Sequence, residues 1–225
     1  MFLTISRKTI IFIFVIICIT SLIFILPSIS VSSPNNKPTI VIDAGHGGID
    51  GGSKGINTNI TEKELNLEYA IALKELCETS GMNVIMTRTN DNGLYDIFSS
   101  NKKKDDMLER KRIIEKSGAE IVVSIHMNSF ALKSCRGAQV FYKDGDEKSL
   151  SLASSIQECF VSSISGARNN ADKGDYYILN CSDATSVIVE CGFLSNPEEE
   201  SLLLSESHKQ KICYAILCGI LNYFN

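Results

Sequence analysis

From Thr9 to Asn36 the 225-residue chain carries no charged side chain, and residues 9–26 are almost wholly Ile, Phe, Val and Leu. Such a stretch reads as a membrane-targeting segment. A secretory signal has an apolar core of about 7–15 residues and a small-x-small cleavage site, while a spanning helix needs about 17–25 apolar residues. The length of this stretch and the lack of an Ala-x-Ala site favour an uncleaved anchor over 9–27 rather than a cleaved signal. Arg7 and Lys8 then keep residues 1–8 in the cytoplasm and send the remainder outward, so the expected location is extracytoplasmic, membrane-anchored or secreted. Residues 28–37, rich in Ser, Asn and Pro, read as a tether, and 38–225 as one folded domain.

The domain also lacks positive charge. Residues 1–37 hold Arg7, Lys8 and Lys37 and no acid, which leaves 19 of the 22 basic side chains against all 26 acidic ones, a net −7. That excludes nucleic acid as a partner, and long-range attraction to an anionic polymer as a means of holding substrate. No Cys-x-x-Cys pair occurs among the eight cysteines, one of which, Cys18, lies in the membrane segment. A cysteine zinc site is therefore not expected, and the seven domain cysteines read mostly as free, small buried hydrophobes. Neither Gly-x-Gly-x-x-Gly nor Gly-x4-Gly-Lys-Ser/Thr is present, so the glycines around residues 45–55 are not a phosphate cradle. No internal repeat and no second domain are visible.

What remains is an alternation of short β-branched runs and amphipathic stretches, the signature of an α/β fold. Strands are expected at 39–43, 83–87, 120–125, 138–142, 176–179 and 186–190, and helices at 62–79, 105–117, 149–164 and 207–223. The expected architecture is a central, mixed but mostly parallel sheet of about six strands with helices on both faces. Thr61-Glu-Lys-Glu64 matches a capping box, with Glu64 reaching back to the N-cap amide. Glu62 stands three positions before Leu65 on the apolar face, which also carries Tyr69, Ala72, Leu73 and Leu76. An inward carboxylate needs a cation or hydrogen-bond donors.

His46 follows the first strand, His126 the third, and Glu190 closes the last. In open α/β sheets ligands bind outside the carboxyl ends of the strands, so these three should converge, with Glu62 joining from the first helix. Two histidines and a carboxylate are a usual ligand set for catalytic zinc, and Glu190 is then free to act as a base. Taken singly, either histidine reads more readily as structural and Glu190 equally well as a salt-bridge partner; the conjunction carries the argument. The third domain histidine, His208, lies in a charged stretch and reads as a solvated helix residue.

The strings Ile40-Val-Ile-Asp-Ala-Gly-His-Gly-Gly48, Glu62-Lys63, Thr87-Arg88-Thr89, Ser124-Ile-His-Met-Asn128 and Val189-Glu-Cys-Gly-Phe-Leu-Ser-Asn196 resemble the zinc-dependent N-acetylmuramoyl-L-alanine amidases. The likeness runs in order over residues 39–223. It implies one Zn2+ per chain on His46, Glu62 and His126, a catalytic Glu190, and peptidoglycan as substrate. A membrane segment with a bare catalytic domain looks most like the germination-specific subgroup, which implies a role in cortex maturation during sporulation, through muramic-δ-lactam. An accessory envelope activator is a further expected partner. Two departures are visible: no Pro follows Asp50, and Cys191 stands where a small residue or Thr is usual. Asp43 or Asn128 is read as the orienting partner of a ligand histidine and Arg88 as a rim residue, each with an equally good structural reading. A zinc peptidase acting on stem peptides and a catalytically silent wall-binding protein are the rival readings.

Overall fold

The apolar runs form the middle of one sheet. The computed structural model describes residues 37–225 together with Arg7; the expected anchor at 9–27 and the tether up to residue 36 lie outside the described residues. The strands are β1 (Thr39–Ala44), β2 (Asn83–Met86), β3 (Ile121–Asn128), β4 (Gln139–Tyr142), β5 (Asp172–Lys173) and β6 (Thr185–Phe193). They lie in the order β2-β1-β3-β6-β4-β5. β1, β2, β3 and β6 run parallel, and β4 pairs antiparallel with β6. The sheet is thus mixed and mostly parallel, as the sequence implies. Strands buried on both faces read as continuous β-branched runs, which is the pattern of β1, β3 and β6.

Among the described residues six helices join them: α1 (Glu62–Thr79), α2 (Lys102–Ser117), α3 (Glu147–Ser163), α4 (Tyr177–Asn180), α5 (Pro197–Leu203) and α6 (Glu206–Phe224). On one face, Ile40, Ile42, Val123, Ile125, Val187 and Val189 pack with α1, α3 and α6. On the other, the alternate residues Val41, Val122 and Ile188 pack against Ile114 of α2 and Ile178 and Leu179 of α4. The period of two along each strand thus sends successive side chains to opposite helical layers. Among the described residues no helix is long and apolar enough to cross a membrane.

Start signals decide where the helices begin. The capping box closes, with the Glu64 carboxylate accepting from the Thr61 amide at 2.9 Å. α2 begins at Lys102, three residues before the apolar pattern, because Asn101 caps it through the Lys104 amide at 3.2 Å. Gly118, left-handed at φ 63°, ends it. The expected strand at 176–179 is instead the single turn α4. Tyr176 and Tyr177 are exposed while the adjacent Ile178 and Leu179 are both buried, a pairing that suits a helical turn and breaks strand alternation. The sixth strand is the two-residue β5, which has no apolar run to betray it.

Candidate active site

Register places two of the four expected side chains next to each other. In the parallel β3–β6 pair, His126 stands opposite Glu190. Both strands continue past these residues, so neither is a strand terminus as expected. The ladder then slips, with Asn128 pairing to Phe193, a bulge of the kind that re-aims side chains beside active sites. His126 and Glu190 share the sheet face that looks toward α2 and α4.

His46 lies two residues past β1, in a left-handed conformation with φ 61° that is uncommon for any residue but glycine. Buried guanidinium groups hold the backbone there. The Ala44 carbonyl accepts from Arg88 Nε and from Arg110 Nη1, both at 2.9 Å. The Gly45 carbonyl accepts from Arg88 Nη2 at 2.9 Å and the His46 carbonyl from Arg110 Nη2 at 2.5 Å. Asp43, itself buried, anchors Arg110 by an ion pair and accepts from Thr87 Oγ1 at 2.7 Å and Ser124 Oγ at 2.5 Å. Two glycines make the close approach possible. A Cβ on Gly45 would fall 2.3 Å from the His126 ring, and one on Gly52, at φ 64°, would fall 2.5 Å from Glu62 Oε2 and 2.8 Å from His46 Cδ2.

Glu62, in the first turn of α1, is buried as its helix face predicts. Its Oε1 lies 3.1 Å from His46 Nε2 and 2.9 Å from His126 Nδ1, while Oε2 accepts from the Ser53 amide at 2.8 Å. Burial opposes ionisation of Glu62, but hydrogen bonds and charge from His126 and His46 outweigh it and hold the carboxyl well below its ordinary range. His46 is pushed down by burial and further up by Glu62 and Asp50, so its net shift is upward. Ligand atoms of His46, Glu62 and His126 all lie within 4.8 Å of one another. Two imidazole nitrogens and a carboxylate oxygen in one small volume, converging from three elements, are a donor set that fits a zinc ion with an open coordination position.

Glu190 adds a second signal. Its Oε2 is sealed from solvent and has no hydrogen-bond partner among the described residues. Burial pushes the carboxyl up to about 7; His126 and His46 oppose that rise and the charge of Glu62 adds to it. A buried acceptor without a donor is costly, which makes it a mark of a group kept for chemistry. Glu190, His46 and His126 open into one cavity whose walls include Ile49, Tyr95, Lys103, Met107, Tyr176 and Tyr177.

The outer groups differ from the sequence reading. The partner of His46 is Asp50, whose Oδ1 stands 3.1 Å from Nδ1. Asp43 is committed to Arg110, and Asn128 Oδ1 accepts the neighbouring Ser129 amide at 2.7 Å. Arg88 is buried, not at the rim, because its donors are taken by the carbonyls of residues 44, 45, 63 and 90. Asn66, one helical turn after Glu62, donates to the Gly45 carbonyl at 3.1 Å and to Glu62 Oε1 at 3.4 Å. The i, i+4 spacing from Glu62 was a signal that could have found it. His208 lies half-buried on α6, outside the cluster, and all seven described cysteines are free thiols.

A histidine pair bridged by a buried glutamate, beside a second, partnerless glutamate, narrows the relatives to be expected. The profile of the N-acetylmuramoyl-L-alanine amidases matches residues 40–222. The chain belongs to this amidase family. The germination-specific N-acetylmuramoyl-L-alanine amidase of Bacillus subtilis (strain 168) is 33% identical over 198 residues, covering 86% of this chain and 82% of the relative. Among solved structures, the CwlD amidase of Clostridioides difficile, determined in complex with the GerS lipoprotein, is 40% identical. It superposes with a TM-score of 0.80 over 84% of this chain and 98% of that one. A second N-acetylmuramoyl-L-alanine amidase, from Clostridium difficile 630, is 28% identical with a TM-score of 0.75 over 84% and 97%. The amidase described here is accordingly an amide hydrolase of peptidoglycan, and its α/β domain is the family's fold.

Proposed function

We propose that this amidase is zinc-dependent, that His46, Glu62 and His126 hold the ion, and that Glu190 moves the protons. The observation that carries the reading is the meeting, in one cavity, of three converging ligand atoms with a buried carboxylate oxygen that has no partner. Zinc bound there supplies Lewis acidity to the scissile carbonyl and to the attacking water. Glu190, pushed up to about 7, is matched to proton transfer near neutral pH. Ionised, it takes a proton from the attacking water; protonated, it delivers that proton to the amine nitrogen of L-alanine as the lactyl C–N bond breaks. Asp50 keeps Nε2 of His46 turned toward Glu62 by accepting from Nδ1. Ile49, Met107, Tyr95, Tyr176 and Tyr177 give the cavity largely apolar walls beside the reacting bond.

The finer setting is part of the same proposal. The enzyme acts outside the cytoplasmic membrane, tethered by residues 9–27, on spore-cortex peptidoglycan whose denuded muramic acid goes on to muramic-δ-lactam. The charge-free N-terminal stretch supports the tether, and the likeness to the germination-specific amidase of B. subtilis supports the setting. A lipoprotein-like envelope partner is proposed by analogy with the C. difficile CwlD–GerS complex.

The test is digestion of purified peptidoglycan by the purified chain, with added zinc or with chelator, followed by mass spectrometry. Zinc-dependent release of peptides that begin with a free L-alanine amine, leaving the lactyl carboxyl on the glycan, is expected. Cleavage inside the stem peptide, or release undiminished by chelator, would overturn the proposal.

A further inference from the structure

The seven domain cysteines are not equivalent. Cys77, Cys181, Cys191 and Cys213 are buried among apolar side chains, and Cys135 is half-buried. Cys159 on α3 and Cys218 on α6 face the same small cleft, which Ser162, Ser163, Lys211 and Tyr214 also line. The Asn222 amide group lies 3.8 Å from the Cys159 sulfur and 3.9 Å from the Cys218 sulfur, so both thiols sit against one nitrogen. Burial pushes the Cys159 thiol up to about 12, and the Cys218 thiol across the cleft adds to the rise.

The two helices are in backbone contact here. A Cβ on Gly219, the residue after Cys218, would lie 2.4 Å from Ile156 Cα, and Ser155 Oγ donates to the Gly219 carbonyl at 2.9 Å. Ile156 stands about one turn from Cys159. Packing this close is what a disulfide needs, since its Cα atoms must lie about 4.4–6.8 Å apart.

We propose that Cys159 and Cys218 are a disulfide-forming pair that staples α6 to α3 when the protein meets an exchangeable disulfide. Cys218 is the exposed member and attacks first. Its sulfur displaces one sulfur of the external disulfide as a thiol and forms a mixed disulfide. Cys159 then attacks the Cys218 sulfur, releasing the second external thiol. Two protein S–H bonds are lost and one S–S bond forms; the two electrons reduce the external disulfide to two thiols. An oxidising, extracytoplasmic compartment is where such a bond persists. The staple closes a loop of about 60 residues that contains β6, and with it Glu190.

The experiment incubates the purified full-length chain in detergent with oxidised glutathione, blocks remaining thiols with iodoacetamide, and maps trypsin peptides by mass spectrometry. A cross-linked species of residues 149–168 and 212–225, about 2 Da lighter than its two parts, is expected, with fragmentation assigning the bond to Cys218. Thermal unfolding should rise by roughly 5–15 °C on oxidation and return with reductant, from the usual effect of closing a long loop in a domain of this size. Both changes should be absent in Cys218→Ser, whose reduced form should unfold at the wild-type temperature. Recovery of Cys218 only as its glutathione adduct, or a cross-link through Cys213 instead, would overturn the proposal. So would an equal thermal shift in the Cys218→Ser chain.

Discussion

Replacing Arg110 by Met tests how the His46 loop is held. The substitution keeps the aliphatic length but removes the guanidinium that pairs with Asp43 and Asp106 and donates to the Ala44 and His46 carbonyls. Asp43 is fully buried; burial alone would raise its pKa, yet Arg110, Ser124 and Thr87 hold it down at about 2 against an ordinary 3.8. A carboxyl shifted that far is worth about 2–3 kcal/mol to the folded state at neutral pH. The sign follows from the depressed value: the contribution is complete above pH 3.8 and is lost as pH falls through about 2. Without Arg110 the Asp43 carboxylate is left buried with only two hydroxyl donors, and breaking a buried pair from one side typically costs about 3–5 kcal/mol. Arg110→Met should therefore unfold at about 3–5 kcal/mol lower stability at pH 7. Adding Asp43→Asn should cost well under the sum of the two single losses, because the second change removes the stranded charge. The chain has no tryptophan, so urea unfolding followed by circular dichroism is the suitable assay. A single variant within about 1 kcal/mol of wild type, or a double variant whose losses simply add, would show that Arg110 does not hold Asp43 in this way.

Three further outcomes follow from the site. Glu190→Gln should bind zinc as wild type does and lose about 10²–10⁴-fold of amide cleavage, the usual worth of a positioned acid–base group; turnover near the wild-type rate would remove Glu190 from the mechanism. Asp50→Asn should weaken zinc affinity about 10–100-fold, read by competition with a chromophoric chelator, because Nδ1 of His46 loses its carboxylate acceptor. Gly45→Ala puts a methyl 2.3 Å from the His126 ring, so zinc binding should fall more steeply than thermal stability; unchanged binding would mean that the ring can swing aside at no cost.

The parts of this protein that answer to local rules were legible in the chain itself. β1, β3 and β6 announce themselves as β-branched runs, Glu62 as the inward residue of a capped first turn, and His46 and His126 as polar residues that follow apolar runs. Hydrophobic period fixes which face a side chain takes, and chain order through a mostly parallel sheet brings these residues to one edge. Period does not say what stands opposite. α2 shows the limit: its buried residues are Asp106, Arg110 and Ile114, a stripe two-thirds charged, which hydropathy reads as solvated surface. Likewise α4 and β5 are too short to carry a period of their own.

The fold class was thus readable from the chain alone, and so were the four residues on which the proposed chemistry rests, because each is a polar residue set against an apolar run. That Asp50 rather than Asp43 stands against His46, that Arg88 and Arg110 are buried clamps on a left-handed loop, and that Cys159 and Cys218 face one cleft are visible only in three dimensions. Each of those is a pairing set by the three-dimensional path of a loop or the crossing of two helices, and distances across such crossings depend on all the packing between them.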